Sequence, residues 1–166
     1  MFQINDIIIY GTEGVCKIDD ISEKRIDDKT MEYYVLKPLY QNRAVVYVPK
    51  NSKKLTSRMR NVLTLYEVNE LIREFANIDS IDIADTRARK QTYQQILQTC
   101  DYRELTRLVK TLHYQRLEAE EGGKKLPMWE DRVRKEAEKV LFSEFAYVLK
   151  IEPEQVLEYI ESMTKS

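Results

Sequence analysis

The hydrophobic pattern of this 166-residue chain changes period once, near residue 63, and that change limits the fold more than any single motif. Before it, β-branched and aromatic residues sit in short runs separated by turn residues, the grammar of strands. After it, apolar residues recur at spacings of three and four, the grammar of helices that bury one face. The expected fold is α+β, with a β-rich domain over residues 1–62 and an all-α domain over residues 63–166.

The strand grammar centres on residues 32–50, where two runs flank a polar Gln41-Asn42-Arg43 break and read as a β-hairpin. Side chains alternate along a strand, so Tyr34, Leu36 and Pro38 oppose Tyr33, Val35 and Lys37, while Ala44, Val46 and Val48 oppose Val45, Tyr47 and Pro49. Apolar groups on both faces allow one face to fill a core and leave the other for a partner. Pro49, with no N–H to donate, ends the ladder. Upstream, residues 7–10 form a strand, and Gly11-Thr12-Glu13-Gly14 a turn with two residues free to take positive φ. Residues 15–21 alternate Val15, Lys17, Asp19 and Ile21 against Cys16, Ile18 and Asp20, and residues 25–30 turn back. A short strand within residues 57–62 completes an expected small SH3-like or Tudor-like β-barrel.

The helical domain is expected to be a bundle of about five helices. Thr64 and Glu67 form a capping box ahead of Val68, Leu71, Ile72 and Phe75, and that helix should stop near Asn77. Residues 78–86 show no helical face and read as an elbow. A second helix over residues 87–99 carries Tyr93, Ile96, Leu97 and Cys100 on its apolar side. A third opens at Asp101, with Glu104 in capping-box position, places Leu105, Leu108, Val109, Leu112 and Leu117 inward, and ends at Gly122-Gly123. Pro127 fits the first turn of a fourth, with Val133, Ala137, Val140, Leu141 and Phe145 inside, and Glu152-Pro153 restarts a fifth.

Nothing in the chain points to catalysis. His113 is the single histidine, Cys16 and Cys100 form no CxxC pair, and three candidate ligands fall short of the four a structural zinc needs. Phosphate-cradling glycine motifs and a nucleophile elbow are absent. A non-enzyme without metal or cofactor is expected. No run approaches the roughly 18 apolar residues of a membrane span, and the first residues lack a signal-peptide pattern, so a cytoplasmic protein with no membrane partner is expected.

Bulk charge does not argue for nucleic acid. Residues 1–60 carry 11 Lys and Arg against 8 Asp and Glu, the remainder 16 against 20, and the net charge is −1. Local patches are the candidates: Arg87, Arg89 and Lys90 on one helix, Arg103, Arg107, Lys110 and Arg116 on the next, and Lys124 and Lys125 in the following loop. Packed side by side they would neutralise several phosphates; on charge alone, solvated faces balanced by Asp101, Glu104 and Glu118 are the favoured reading. Trp129 fits either the core of the fourth helix or an exposed contact.

The order of parts resembles the CarD/CdnL family of bacterial transcription regulators. The residues that carry the resemblance are Met-Phe-Gln-Ile-Asn-Asp-Ile-Ile-Ile-Tyr-Gly-Thr-Glu-Gly-Val at the start, then Glu-Tyr-Tyr-Val-Leu-Lys and Val-Val-Tyr-Val-Pro. A capped helix, an Arg-rich helix start and a Leu-rich helix follow in the family's order. The resemblance implies a Tudor-like module that docks on the β subunit of bacterial RNA polymerase and a helical module that contacts promoter DNA near the upstream edge of the transcription bubble. It implies polymerase docking through Lys24, Arg25, Arg43, Val45, Tyr47 and Pro49, with Tyr47 at a strand position that is basic in family members. The candidates for DNA are Arg87, Arg89, Lys90, Lys124, Lys125 and Trp129; Asp85 and Thr86 stand where DNA-contacting members carry a tryptophan. The expected function is regulation of initiation by favouring the open complex. The alternatives are a Tudor-like protein–protein adaptor that never touches DNA and an RNA-binding module that stacks bases on Tyr33, Tyr40 or Tyr47.

Overall fold

A computed structural model of the protein describes residues 2–42, 44–99 and 101–164. Its backbone divides into two compact units, Met1–Val62 and Leu63–Ser166. Arg43 and Cys100 lie outside the described residues.

The first unit is a five-stranded antiparallel sheet. Strands β1 (Ile7–Tyr10), β2 (Gly14–Ile26), β3 (Lys29–Pro38), β4 (Val46–Pro49) and β5 (Met59–Asn61) are ordered β4-β3-β2-β1-β5. The hairpin runs as its alternation dictates, with Tyr34 opposite Val48 and Leu36 opposite Val46. These four side chains join Ile8, Tyr10, Cys16, Ile18 and Met59 in one core. The described pairing leaves β4 and β5 at opposite ends of the sheet, so the ladder itself does not close the barrel expected from the sequence.

Two features of β2 depart from its sequence pattern. The strand runs five residues past Ile21, because Asp27 and Asp28 both take positive φ, 50° and 62°, and turn the chain in a two-residue hairpin whose twist matches the strands. A register shift between Ile18 and Asp20 makes Asp19 an extra residue. Simple alternation groups Ile21 with Val15. The bulge instead turns Ile21 inward beside Tyr34, where it packs on the core, and sends Ser22 and Lys24 to the face of Tyr33 and Val35. Gly11 and Gly14 take the positive φ that the turn after β1 requires. Between β4 and β5, a single turn of helix, α1 (Lys53–Thr56), is capped by Ser52 Oγ, which accepts from the Leu55 amide at 3.2 Å.

The second unit holds five helices among the described residues: α2 (Leu65–Glu74), α3 (Thr86–Thr99), α4 (Tyr102–Glu121), α5 (Met128–Leu149) and α6 (Val156–Thr164). The Thr64–Glu67 capping box is complete, with reciprocal bonds of 3.1 Å. Asp101 caps α4 by accepting from the Arg103 and Glu104 amides. Pro127 stands one residue earlier than its pattern suggests, as the N-cap of α5. Leu71, Ile72, Tyr93, Leu108, Leu112, Leu141, Phe145 and Ile160 are central to the core. Glu144 of α5 is fully buried and accepts from the Leu63 amide at 2.9 Å, fixing the entry to this unit. Leu117 is 38% exposed, because it lines an open cleft with Tyr114 and Leu157 instead of joining the closed core. No helix among the described residues is long and apolar enough to cross a membrane.

Candidate interaction surfaces

The outer face of the β unit gathers a cation and two aromatic rings from three strands. Register puts Lys24 opposite Met31, Ser22 opposite Tyr33 and Tyr47 opposite Val35, so these side chains share the face turned away from the core. Lys24 Nζ sits 3.8 Å from the centroid of the Tyr47 ring and 6.0 Å from that of Tyr33. The two rings meet edge to face at 6.4 Å, and Tyr47 is 46% exposed. Position 47 thus lacks a cation of its own but carries one on its ring, delivered from β2 across β3.

The other residues expected on this surface divide. Pro49 pairs with Tyr33 at the end of β4, and Val45 is half-buried just before that strand. Arg25 leans on Asp28 at 3.6 Å, in the exposed hairpin tip, and alternation places it on the side opposite Lys24. At the base of the hairpin Lys50 donates to Glu32 at 3.0 Å, a bond that raises the lysine above its ordinary range.

In the helical unit the first turns of α3 and α5 are joined. Arg89 pairs with Glu130 at 2.7 Å, donates to the Ile83 carbonyl at 3.1 Å, and lies 5.4 Å from the Trp129 ring. Lys90 lies 5.0 Å from the same ring, and Tyr93 packs against it with centroids 5.9 Å apart. Trp129 is therefore a half-buried bracket between two helices, and Arg89 is an internal ion-pair partner of a buried carboxylate. Burial and the neighbouring Glu130 charge push the Tyr93 phenol up.

Most of the cations suggested for α4 are also consumed internally. Arg103 reaches Glu74 at 3.5 Å. Arg107 pairs with Glu104 and donates to the Asp79 carbonyl. Lys110 is buried and donates to the Ala76 and Ile78 carbonyls at 3.1 and 2.7 Å, and burial pulls its ammonium below the ordinary lysine range. Thr111 Oγ1 completes the set by accepting from the Ile81 amide. One face of α4 thus straps the segment of residues 76–81, which leads from α2 into the first part of the elbow. The spacing of 107, 110 and 111 on one helix face is a signal for such a role, but only the fold shows that it meets bare carbonyls.

Arg87, Lys90, Lys124 and Lys125 remain exposed, and none of them forms an ion pair with another described residue. Lys125 borders a cleft of about 500 Å³ shared with Arg116, Glu120, Leu126, Met128, Asp131 and Arg134. Arg134 is held there by Asp131 and Glu138, and that contact lowers the Asp131 carboxyl. Of the three acidic residues in the elbow, Asp85 is used as a cap, accepting from the Ala88 amide at 2.9 Å. His113 is buried with Nδ1 unpartnered; burial, aided by Arg116, lowers its pKa.

Comparison with known proteins covers both units. Residues 2–63 match the family described as CarD-like/TRCF RID domain, an RNA polymerase-interacting domain, and residues 70–161 match the CarD C-terminal domain. The Bacillus subtilis (strain 168) protein named "Putative transcription factor YdeB" is 28% identical over 112 residues, covering 68% of this chain and 72% of that protein. With its two units matched in order by these two domain families, the chain belongs to the CarD-like family of transcription regulators.

Proposed function

We propose that this protein docks on the β subunit of RNA polymerase through the outer face of its Tudor-like unit, contacts promoter DNA with its helical unit, and favours the open initiation complex. The observation that carries the proposal is the Lys24–Tyr33–Tyr47 cluster, exposed on the sheet next to the free edge of β4, within the unit that matches the polymerase-interacting family. A cation resting on an aromatic ring keeps its charge available to an acidic partner while the ring supplies apolar contact, a combination suited to an interface anchor. Val45 and Pro49 border this face in the proposal, and Arg25 contributes only at the tip.

The DNA half rests on Arg87, Lys90, Lys124 and Lys125. Each phosphate they neutralise releases a counterion, so binding should weaken linearly in log–log salt plots. A regulator shifts initiation only if it binds one promoter complex more tightly than another, so the proposed effect requires preferential affinity for the open state.

Co-elution with core polymerase tests the docking. Tyr47→Glu and Lys24→Glu should each weaken the complex by tenfold or more; full retention by both variants removes the proposed surface. The internal use of Arg89, Arg103, Arg107 and Lys110 favours a second reading, an adaptor that binds polymerase without touching DNA. Absence of promoter-DNA binding by the wild type at low salt would decide for the adaptor, whereas salt-dependent binding that weakens on neutralising Lys124 and Lys125 would exclude it.

A further inference from the structure

A cleft of about 370 Å³ opens on the helical unit where the end of α2 meets α4 and α6. Its floor is core, with Phe75 just past α2 and Ile160 of α6 both buried, while Tyr114 and Leu117 of α4 stand exposed at its rim. Two polar groups converge there. His113 is buried and forms no hydrogen bond among the described residues; Nδ1 is sealed from solvent, so Nε2 is the nitrogen left to the cleft. Glu161 of α6 is exposed, forms no ion pair with another described residue, and lies close enough to act on the charge of the His113 ring. No Lys or Arg lines this cleft. Lys110, whose ammonium is 5.9 Å from the Tyr114 ring, commits it to the Ala76 and Ile78 carbonyls. Arg116 and Arg134 line the separate cleft beside Lys125.

We propose that this cleft binds a small amphiphilic amine, its apolar body seated on Phe75, Leu157 and Ile160 and its ammonium held between Glu161 and the Nε2 atom of His113. A concave, mostly apolar site with a few convergent polar groups is the form small-ligand sites take, and this volume lies at the lower end of their range. Charge selects the head group. A carboxylate would meet Glu161 with no Lys or Arg to offset it, whereas an ammonium finds the opposite charge, an imidazole nitrogen able to accept its N–H, and the face of the Tyr114 ring. Burial keeps the His113 ring neutral at physiological pH, which leaves that acceptor available. A partner helix would need a row of apolar pockets along the groove, and this cleft offers room for one compact group. The bound amine would bridge α4 and α6, so it would stabilise the helical unit by mass action.

The test titrates the full chain with tryptamine, 2-phenylethylamine and octylamine, and with indole-3-propionate as the anionic counterpart of tryptamine, by calorimetry and thermal melts. At least one amine should bind with a Kd below about 1 mM and raise Tm as its concentration rises. Indole-3-propionate should bind at least about tenfold more weakly than tryptamine. Glu161→Gln, at an exposed position, should remove about tenfold of the amine affinity and most of that difference, and His113→Phe should weaken it further. Ala76→Trp, also at an exposed position, should fill the cleft and abolish binding without lowering the Tm of the free protein by more than a few degrees. Failure of all three amines to bind the wild type, equal affinity for tryptamine and indole-3-propionate, or amine affinity unchanged in Glu161→Gln and Ala76→Trp overturns the proposal. So does a dimer in sedimentation that Ala76→Trp dissolves, which would make a second copy of the chain the occupant.

Discussion

Arg89 offers a direct test of whether the basic start of α3 is a DNA surface or a structural joint. Its guanidinium is 2.7 Å from Glu130, whose side chain is 6% exposed, against 20% for the arginine. Removing one partner of a fully buried pair costs about 3–5 kcal/mol, since the remaining charge keeps its desolvation penalty. The partial exposure of Arg89 lowers that to about 2 kcal/mol, and the Ile83 carbonyl loses a donor worth about 1 kcal/mol. Arg89→Ala is therefore expected to destabilise the helical unit by about 3 kcal/mol, a fall in Tm of more than about 10 °C for a unit near 100 residues. Urea melts followed by helical circular dichroism would measure it, with Glu130→Ala and the double variant closing a cycle whose coupling should exceed about 1.5 kcal/mol. Arg87→Ala, exposed and unpaired, should stay within about 0.5 kcal/mol of the wild type. If Arg89→Ala unfolds like Arg87→Ala, the ion pair contributes nothing and the joint between α3 and α5 is held by packing alone. If the reasoning holds, weakened DNA binding by an Arg89 variant reports a damaged fold, and Arg87 is the better probe of phosphate contact.

Other expectations concern buried groups. Lys110→Met keeps the apolar stem but removes both bonds to the elbow carbonyls, and should cost about 2 kcal/mol in the same melts; a neutral result would mean that the strap is dispensable. Burial, with a smaller contribution from Glu13, pushes the Cys16 thiol up to about 12, so on a Cys100→Ser background it should react with a disulfide reagent at pH 8 at least about 10³-fold more slowly than a free thiol. Native-state labelling at the free-thiol rate would contradict that burial. His113 is expected to make the protein acid-sensitive. Its folded pKa lies below the unfolded value of about 6.5, so the unfolded chain takes the proton first and stability falls as pH drops through the window beneath 6.5. The groups acting on the ring are Arg116 and Arg134, which lower its pKa, and Glu138 and Glu161, which raise it. Wild type should lose at most about 1.4 kcal/mol per pH unit more than His113→Gln below pH 6.5; parallel curves would dismiss the effect.

The hairpin of residues 32–50 and the helix caps at Thr64 and Asp101 are legible in the sequence because short-range rules decide them. A period of two fixes which tyrosines face out, and a side-chain oxygen beside a free amide fixes where a helix begins. The candidate surfaces are legible only in part. Lys24 and Tyr47 are 23 residues apart and meet because the strand order sets β2 and β4 on either side of β3. Arg89 and Lys110 have the composition of a phosphate-binding surface, and nothing local says that Glu130 or the carbonyls after α2 will claim them. Composition identifies cations; only long-range packing decides which of them are free.

The extra residue at Asp19 carries a consequence for how this surface could vary. Because strand faces alternate, pairing Asp19 in turn would put Ile21 on the outer face and Lys24 on the core side; setting one residue aside inverts that parity from Asp20 to the hairpin tip. Deleting Asp19 with the pairing of β1 and the first half of β2 intact would remove the bulge and keep Ile21 inward and Lys24 on the outer face, because Asp20 would then follow Ile18 in regular alternation. One residue inserted between Asp20 and Lys24 would instead aim Lys24 at the core side, so the cation on the Tyr47 ring depends on the residue count of β2 as much as on the identity of residue 24. A single-codon insertion there would abolish the cluster without altering any residue in it, and removing one residue from the same stretch would bring it back.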